Sequence, residues 1–220
     1  MTGCDCCGQG NVFDERTAEG DLRAYLRDGP DRATRELIAA IAAEGITEAT
    51  ILDIGGGVGA IQLELLAAGA ASADSVEISP AYLAVARRVA ERRGLADKII
   101  QRQGDFVAIA STVPPADVVT LARVVCCYPV MPALLERSAE HARRMLGLVY
   151  PRDTWWTRIG ARLANVWFRL TRDALRIHVH SEAEMDRLVR AAGFERRVLR
   201  RRPFWQVALY VRPDGALPQP

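Results

Sequence analysis

The chain has 220 residues, half of them hydrophobic and a quarter charged, with a formal net charge of +2. That length suits one domain with a sizeable core, and so small a net charge argues for neither a nucleic acid nor a membrane partner. No apolar run reaches the roughly 20 residues needed to cross a bilayer. The N-terminus has neither a basic stretch nor an apolar one behind it, so a cytoplasmic protein without a signal peptide is expected. Cysteines are odd in number, in two clusters at Cys4, Cys6, Cys7 and at Cys126, Cys127, which disfavours a disulfide framework.

Residues 1–20 are polar and weakly patterned and read as a Cys-containing leader. Helical periodicity begins at Asp21–Tyr25 and resumes at Asp31–Ala43, with Gly29-Pro30 as the turn between them and Asp31 able to cap the second helix. A regular alternation follows. Strands are expected at Thr50–Ile54, Ser75–Ile78, Lys98–Arg102, Asp117–Leu121 and Met145–Tyr150, with helices at Ile61–Leu66, from Pro80 onward and at Met131–Arg144. After a last helix at Glu182–Ala192, Phe194–Leu199 and Phe204–Val211 are joined only by a short Arg/Pro turn, which makes an antiparallel hairpin. The fold class expected is therefore α/β: a Rossmann-like, seven-stranded, mostly parallel sheet with a C-terminal antiparallel hairpin and helices on both faces. One domain spans 21–212, with an N-terminal helical lid at 21–45, a helical insertion at 152–180 and a tail at 213–220.

Leu52-Asp53-Ile54-Gly55-Gly56-Gly57-Val58-Gly59 carries the most information. It follows a strand and precedes a helix, the setting in which a glycine loop lets a ligand approach the backbone at the carboxyl end of the sheet. Gly55-x-Gly57-x-x-Ala60 also fits a loose dinucleotide fingerprint. Asp53, two residues before the first glycine, argues against it: a carboxylate there suits a cationic amino-acid head group and is unhelpful beside a pyrophosphate. Glu77 lies 22 residues after Gly55, where an acid can accept from both ribose hydroxyls. Gly104-Asp105-Phe106 follows the third strand, where the acid can meet an adenine amino group and Phe106 can cover the ring; the alternative is a plain turn.

Together Asp53-x-Gly55-x-Gly57-x-Gly59, Glu77, Asp105 and the strand-four region resemble the class I S-adenosylmethionine-dependent methyltransferases. Within that class the chain is distantly similar to magnesium-protoporphyrin O-methyltransferase and related bacterial small-molecule enzymes. The shared features are Tyr25 with Gly29-Pro30, Val124–Pro129, Tyr150-Pro-Arg-Asp153 with Trp155-Trp156, His180 and Trp205-x-Val-x-x-Tyr210. The resemblance implies an S-adenosylmethionine site (S-adenosylhomocysteine as product) from Tyr25, Asp53, Gly55, Gly57, Glu77, Ile78, Asp105, Phe106 and the backbone at Leu121. Tyr25 would close over the methionine end. A small-molecule methyl acceptor, and neither nucleic acid nor membrane span, would enter between the first helix and the insertion Trp155–Ile177. One departure stands out: Ala122 occupies a position where the pattern has Asp.

Methyl transfer needs the nucleophile aligned with an already activated methyl group, and a base only when that nucleophile is a hydroxyl or thiol. Tyr128, His180 and Arg123 are the catalytic candidates, with His178 nearby. His180 could act as a base or cap the following helix; Arg123 could steer an anionic acceptor or form a salt bridge to the leader. Cys126-Cys127 reads as small buried hydrophobe or, with the leader cysteines, as a thiolate site, although Cys-x-Cys-Cys lacks the spacing of structural zinc and no metal is expected. Trp155, Trp156 and Trp167 at helical spacing read as core and pocket wall. Arg196-Arg197 and Arg200–Arg202 read as a solvated edge or as an anion-attracting patch. Three functions remain open: a small-molecule O-methyltransferase, a catalytically impaired S-adenosylmethionine-binding protein, and a nicotinamide-dependent oxidoreductase.

Overall fold

The computed structural model describes residues 13–171 and 175–213. The leader cysteines Cys4, Cys6 and Cys7, and the tail beyond residue 213, lie outside them. In chain order the elements are α1 (Glu15–Asp28), α2 (Arg32–Ala43), β1 (Thr50–Ile54), α3 (Ala60–Ala67), β2 (Ser72–Glu77), α4 (Pro80–Arg92), β3 (Ile99–Gln103), α5 (Phe106–Ile109), β4 (Ala116–Ala122), α6 (Met131–His141), β5 (Ala142–Pro151), α7 (Trp155–Leu170), α8 (Glu182–Ala191), β6 (Glu195–Arg201) and β7 (Trp205–Val211). The sheet has seven strands in the order β3-β2-β1-β4-β5-β7-β6. The first five run parallel, and β7 enters antiparallel between β5 and β6. This is the Rossmann-like sheet with a terminal hairpin that the alternation predicts.

Side chains alternate across the sheet as strand geometry requires. On β7, Val207 and Leu209 join Ile51, Val118 and Leu37 on one face, while Ala208 and Tyr210 join Leu52, Val119 and Leu134 on the other. β5 follows the same rule and has Gly147 where it faces α2. A Cβ there would meet Leu37 Cδ1 at 2.8 Å, so the missing side chain lets the helix lie directly on the strand. A third apolar cluster joins Leu22 and Tyr25 of α1 to Tyr82, Val85 and Val89 of α4.

Helix boundaries follow their caps. Asp14 accepts from Thr17 N and starts α1 at Glu15, earlier than the expected Asp21, so part of the expected leader is helical. Asp31 caps α2 through Ala33 N at 3.0 Å, and Ser79 caps α4 ahead of Pro80. Residues 142–144, expected in a helix, belong to β5, where Ala142 pairs with Ala116. The expected insertion is helical at Trp155–Leu170, and residues 175–180 run without helix or strand into α8.

Candidate active site

The parallel strands end together. Ile54 pairs with Val76 and Leu121, Glu77 with Gln103, and Ala122 with Val149, so the loops after them share one rim, where open α/β sheets bind ligands. A cavity of about 320 Å³ opens there, walled by Asp53 to Val58, Glu77, Ile78, Asp105, Phe106, Ala122 to Val124 and Tyr128, and on the helical side by Asp21, Asp31 and Thr34.

The glycine loop forms its floor. Gly55 has φ +66°, and a Cβ on it would strike Val124 Cγ2 at 2.3 Å. Gly57, at φ +54°, turns its N–H to Glu77 Oε2 at 3.1 Å. Glu77 also accepts from Ser79 N at 2.9 Å, and burial raises its pKa against those two amides. Asp53 is 1% exposed. Its Oδ1 accepts from the Thr120 hydroxyl at 2.7 Å, whereas Oδ2 is buried with no hydrogen-bond partner among the described residues. Burial, with Glu77 adding to it, pushes the Asp53 carboxyl up to about 7. An orphaned carboxylate oxygen is costly, and a cationic group lodged beside it removes that cost.

At the opposite end Asp105 caps α5 through Val107 N at 3.1 Å. The Tyr128 hydroxyl donates to its two oxygens at 3.1 and 3.2 Å. Burial and the Asp105 charge hold the Tyr128 phenol above its ordinary range. Arg123 adopts φ +64°, with its N–H on Val149 O at 2.8 Å. Its guanidinium pairs with Asp31 at 2.7 Å and lies over the Trp205 ring, 4.9 Å from the centroid.

The cavity thus gathers Asp53, Gly55, Gly57, Glu77, Ile78, Asp105, Phe106, Arg123 and Tyr128 of the expected site residues. Three others lie elsewhere. Tyr25 does not wall the cavity; it donates to Glu64 Oε1 and accepts from Arg93 Nη1, both at 2.8 Å. The Leu121 side chain is fully buried in the core. His180 donates from Nε2 to Val125 O at 3.1 Å, and its ring stacks on His178. Both histidines line a second cavity beside α7 with Arg158, Arg162 and Asn165, and burial lowers both their pKa values. None of residues 152–180 that are described walls the main cavity. Asp31, Thr34, Tyr82 and Val124 wall it without having been expected to; Asp31 and Tyr82 carry only helix-cap and core signals in the sequence, and their reach to the site depends on how α2 and α4 pack.

Cys126 is buried and Cys127 half-buried, with Sγ atoms 3.6 Å apart, and the described residues hold no cluster able to bind a metal. Four arginines of the expected basic patch are ion-paired within the chain: on β6, Arg196 and Arg201 with Glu182 and Arg197 with Glu44, and just after it Arg202 with Glu36. Trp155 and Trp167 point outward, which corrects the expectation of core.

The fold is shared with solved methyltransferases. Magnesium protoporphyrin IX methyltransferase from Synechocystis PCC 6803, bound to S-adenosylhomocysteine, superposes with a TM-score of 0.71 at 18% identity, over 92% of this chain and 97% of that one. An O-methyltransferase family protein from Burkholderia thailandensis gives 0.72 at 16% identity, over 96% of this chain and 64% of the other. A putative sarcosine dimethylglycine methyltransferase from Galdieria sulphuraria gives 0.65 at 16% identity, over 83% and 86%. No curated protein matches in sequence. The profile of a methyltransferase domain matches residues 22–198, which removes the nicotinamide-dependent reading: the chain belongs to the methyltransferase domain family, enzymes whose methyl donor is S-adenosylmethionine.

Proposed function

We propose that this enzyme methylates an oxygen of a small anionic acceptor, and that the rim cavity holds both cofactor and acceptor. One observation carries the cofactor assignment: the buried, unpartnered Oδ2 of Asp53 beside a glycine loop with no room for a Cβ at Gly55. In this reading Asp53 takes the ammonium of the methionine part. Glu77 takes the ribose hydroxyls while the Gly57 amide fixes its carboxylate. Asp105 takes the adenine amino group, with Ile78 and Phe106 against the ring. When bound, S-adenosylmethionine supplies a methyl carbon made electrophilic by its sulfonium.

What the chain does for the acceptor follows from the groups on the helical side. Arg123 is the cation there, and its partial exposure leaves donors toward the cavity. Ala122 offers no acid or base. Tyr128 is occupied by Asp105, and its raised phenol pKa makes it a hydrogen-bond donor, not a base. The carboxylates on that side are already engaged, Asp31 by Arg123 and Asp21 by the Tyr82 hydroxyl, and a site with a cation and no free base suits an acceptor oxygen already ionised at neutral pH, such as a carboxylate or an acidic phenol. α1 and α2, from the expected lid at 21–45, supply the wall that excludes water. Ala122 in the wall also supports a second reading, a protein that binds the cofactor and turns over poorly.

Titration with S-adenosylhomocysteine tests the site. Saturable binding is expected, weakened at least about tenfold in Asp53→Ala, since an uncompensated ammonium loses a charged hydrogen bond. A panel of carboxylates and phenols with labelled cofactor then reads the acceptor. Binding without turnover on that panel, with turnover gained in Ala122→Asp, would favour the second reading. Equal affinity in wild type and Asp53→Ala would remove the cofactor assignment.

A further inference from the structure

Helix α7 presents an apolar face to solvent that nothing in the described structure covers. Trp155, Leu163, Trp167 and Leu170 are 75, 67, 65 and 75% exposed, and Ile159 and Val166 about half. At 100° per residue these six positions fall within an arc of about 120°. The opposite side holds the helix to the protein: Thr157 is buried, and the Asn165 amide bonds both ways with the backbone of Ile177 at 2.8 Å. Trp156 extends the apolar face by meeting Phe204 in the β6–β7 turn, 6.4 Å between rings.

Charge on α7 has one sign. Arg158, Arg162 and Arg169 line one border of the apolar arc, and the helix contains no Asp or Glu. Arg158 is held by Asp153 at 2.6 Å. Arg162 and Arg169 meet no carboxylate among the described residues. The helix has 16 residues and no helix of the described structure is long and apolar enough to cross a membrane, so α7 could lie on a bilayer and not through it. Tryptophans near both ends, aliphatic residues between them and arginines along the border are the composition of an interfacial helix. A second copy of the chain fits less well: a two-fold contact sets a face against itself, and α7 would bring arginines to a surface with no acid of its own to receive them.

We propose that α7 seats this enzyme on an anionic phospholipid surface, with the Trp155–Leu170 face in the acyl boundary and Arg162 and Arg169 among the headgroups. The full chain floated with vesicles tests this, using phosphatidylcholine alone and phosphatidylcholine with phosphatidylglycerol. Flotation with the anionic vesicles is expected, with a blue shift of tryptophan emission and loss of binding at high salt. Leu163→Glu/Trp167→Glu should abolish it, and Arg162→Glu/Arg169→Glu should weaken it at least about tenfold. In both variants S-adenosylhomocysteine affinity should stay at the wild-type value, which separates lost docking from lost folding. Absence of flotation, equal flotation with neutral vesicles, or self-association broken by Leu163→Glu/Trp167→Glu without vesicle binding would each overturn the proposal.

Discussion

The Tyr128 hydroxyl donates to Asp105 at 3.1 Å, from the turn after β4 to the N-cap of α5. The phenol lies across both oxygens of that one carboxylate, and this decides what Tyr128 does. A phenol whose pKa is raised by burial and by a neighbouring charge cannot take a proton from an acceptor at neutral pH. It can orient the carboxylate that we propose meets the adenine amino group. Tyr128→Phe is therefore expected to raise the cofactor KM about five-fold, the worth of one hydrogen bond, with kcat within about two-fold of wild type. Steady-state kinetics with varied S-adenosylmethionine separates the two parameters; a kcat lowered a hundredfold at unchanged KM would restore Tyr128 to a catalytic role.

Asp53 links binding to stability with opposite signs. Its carboxyl titrates at about 7 in the folded chain against an ordinary 3.8. Between those values the folded state holds a proton that the unfolded state has released, so stability falls as pH rises through the window and the loss is complete above it. Asp53→Asn removes that loss. The variant is expected to melt about 2–4 °C above wild type at pH 8, with the gain vanishing near pH 4. Cofactor affinity changes the other way: in the wild type it should decline below pH 7 as Asp53 takes a proton, and in Asp53→Asn it should be low and flat. Paired melting and S-adenosylhomocysteine titrations across pH check both halves.

Gly55 is constrained twice. Its φ of +66° is costly for any residue with a Cβ, and that Cβ would lie 2.3 Å from Val124 Cγ2. Gly55→Ala should destabilise the chain by about 1–2 kcal/mol from the backbone alone and abolish cofactor binding, since the strand-four turn must move. Gly55→Ala/Val124→Ala removes the clash but not the φ penalty. Partial recovery of affinity in the double variant, read by titration, is the outcome that identifies the contact; none would place the whole effect in the backbone.

These residues also show what could be read without coordinates. Asp53, Gly55, Gly57 and Glu77 lie at strand ends, where short apolar runs and glycines mark the position, and neighbours in sequence suffice. The terminal hairpin is legible from its short Arg/Pro turn, but the insertion of β7 beside β5 is a pairing at long separation that local pattern does not encode. Tyr25 illustrates the same limit at the site. Its phenol is satisfied by Glu64 and Arg93, 39 and 68 residues away, and both partners look like ordinary exposed helix charges in the sequence. The tryptophans of α7 mislead for another reason: helical spacing gives a face, and only the packing tells which way that face turns.

Arg123 carries the last expectation. Its neighbours fix the side chain without consuming it: Asp31 takes one Nη2 bond at 2.7 Å and Trp205 supports the plane from beneath. The pair with Asp31 is partly solvent-screened and contributes little to stability, so Arg123→Ala should fold and melt close to wild type. If the guanidinium holds an ionised acceptor oxygen, kcat/KM for carboxylate acceptors should fall about a hundredfold, a charged hydrogen bond lost from the transition state together with alignment, while S-adenosylhomocysteine affinity stays unchanged. Arg123→Lys keeps the charge but not the planar fork or the stacking and should recover only part of the loss. Neutral acceptors should be indifferent to both variants. A uniform loss across acceptors of every charge would instead make Arg123 a strut between α2 and β4, and the cation would cease to be an argument for an anionic substrate.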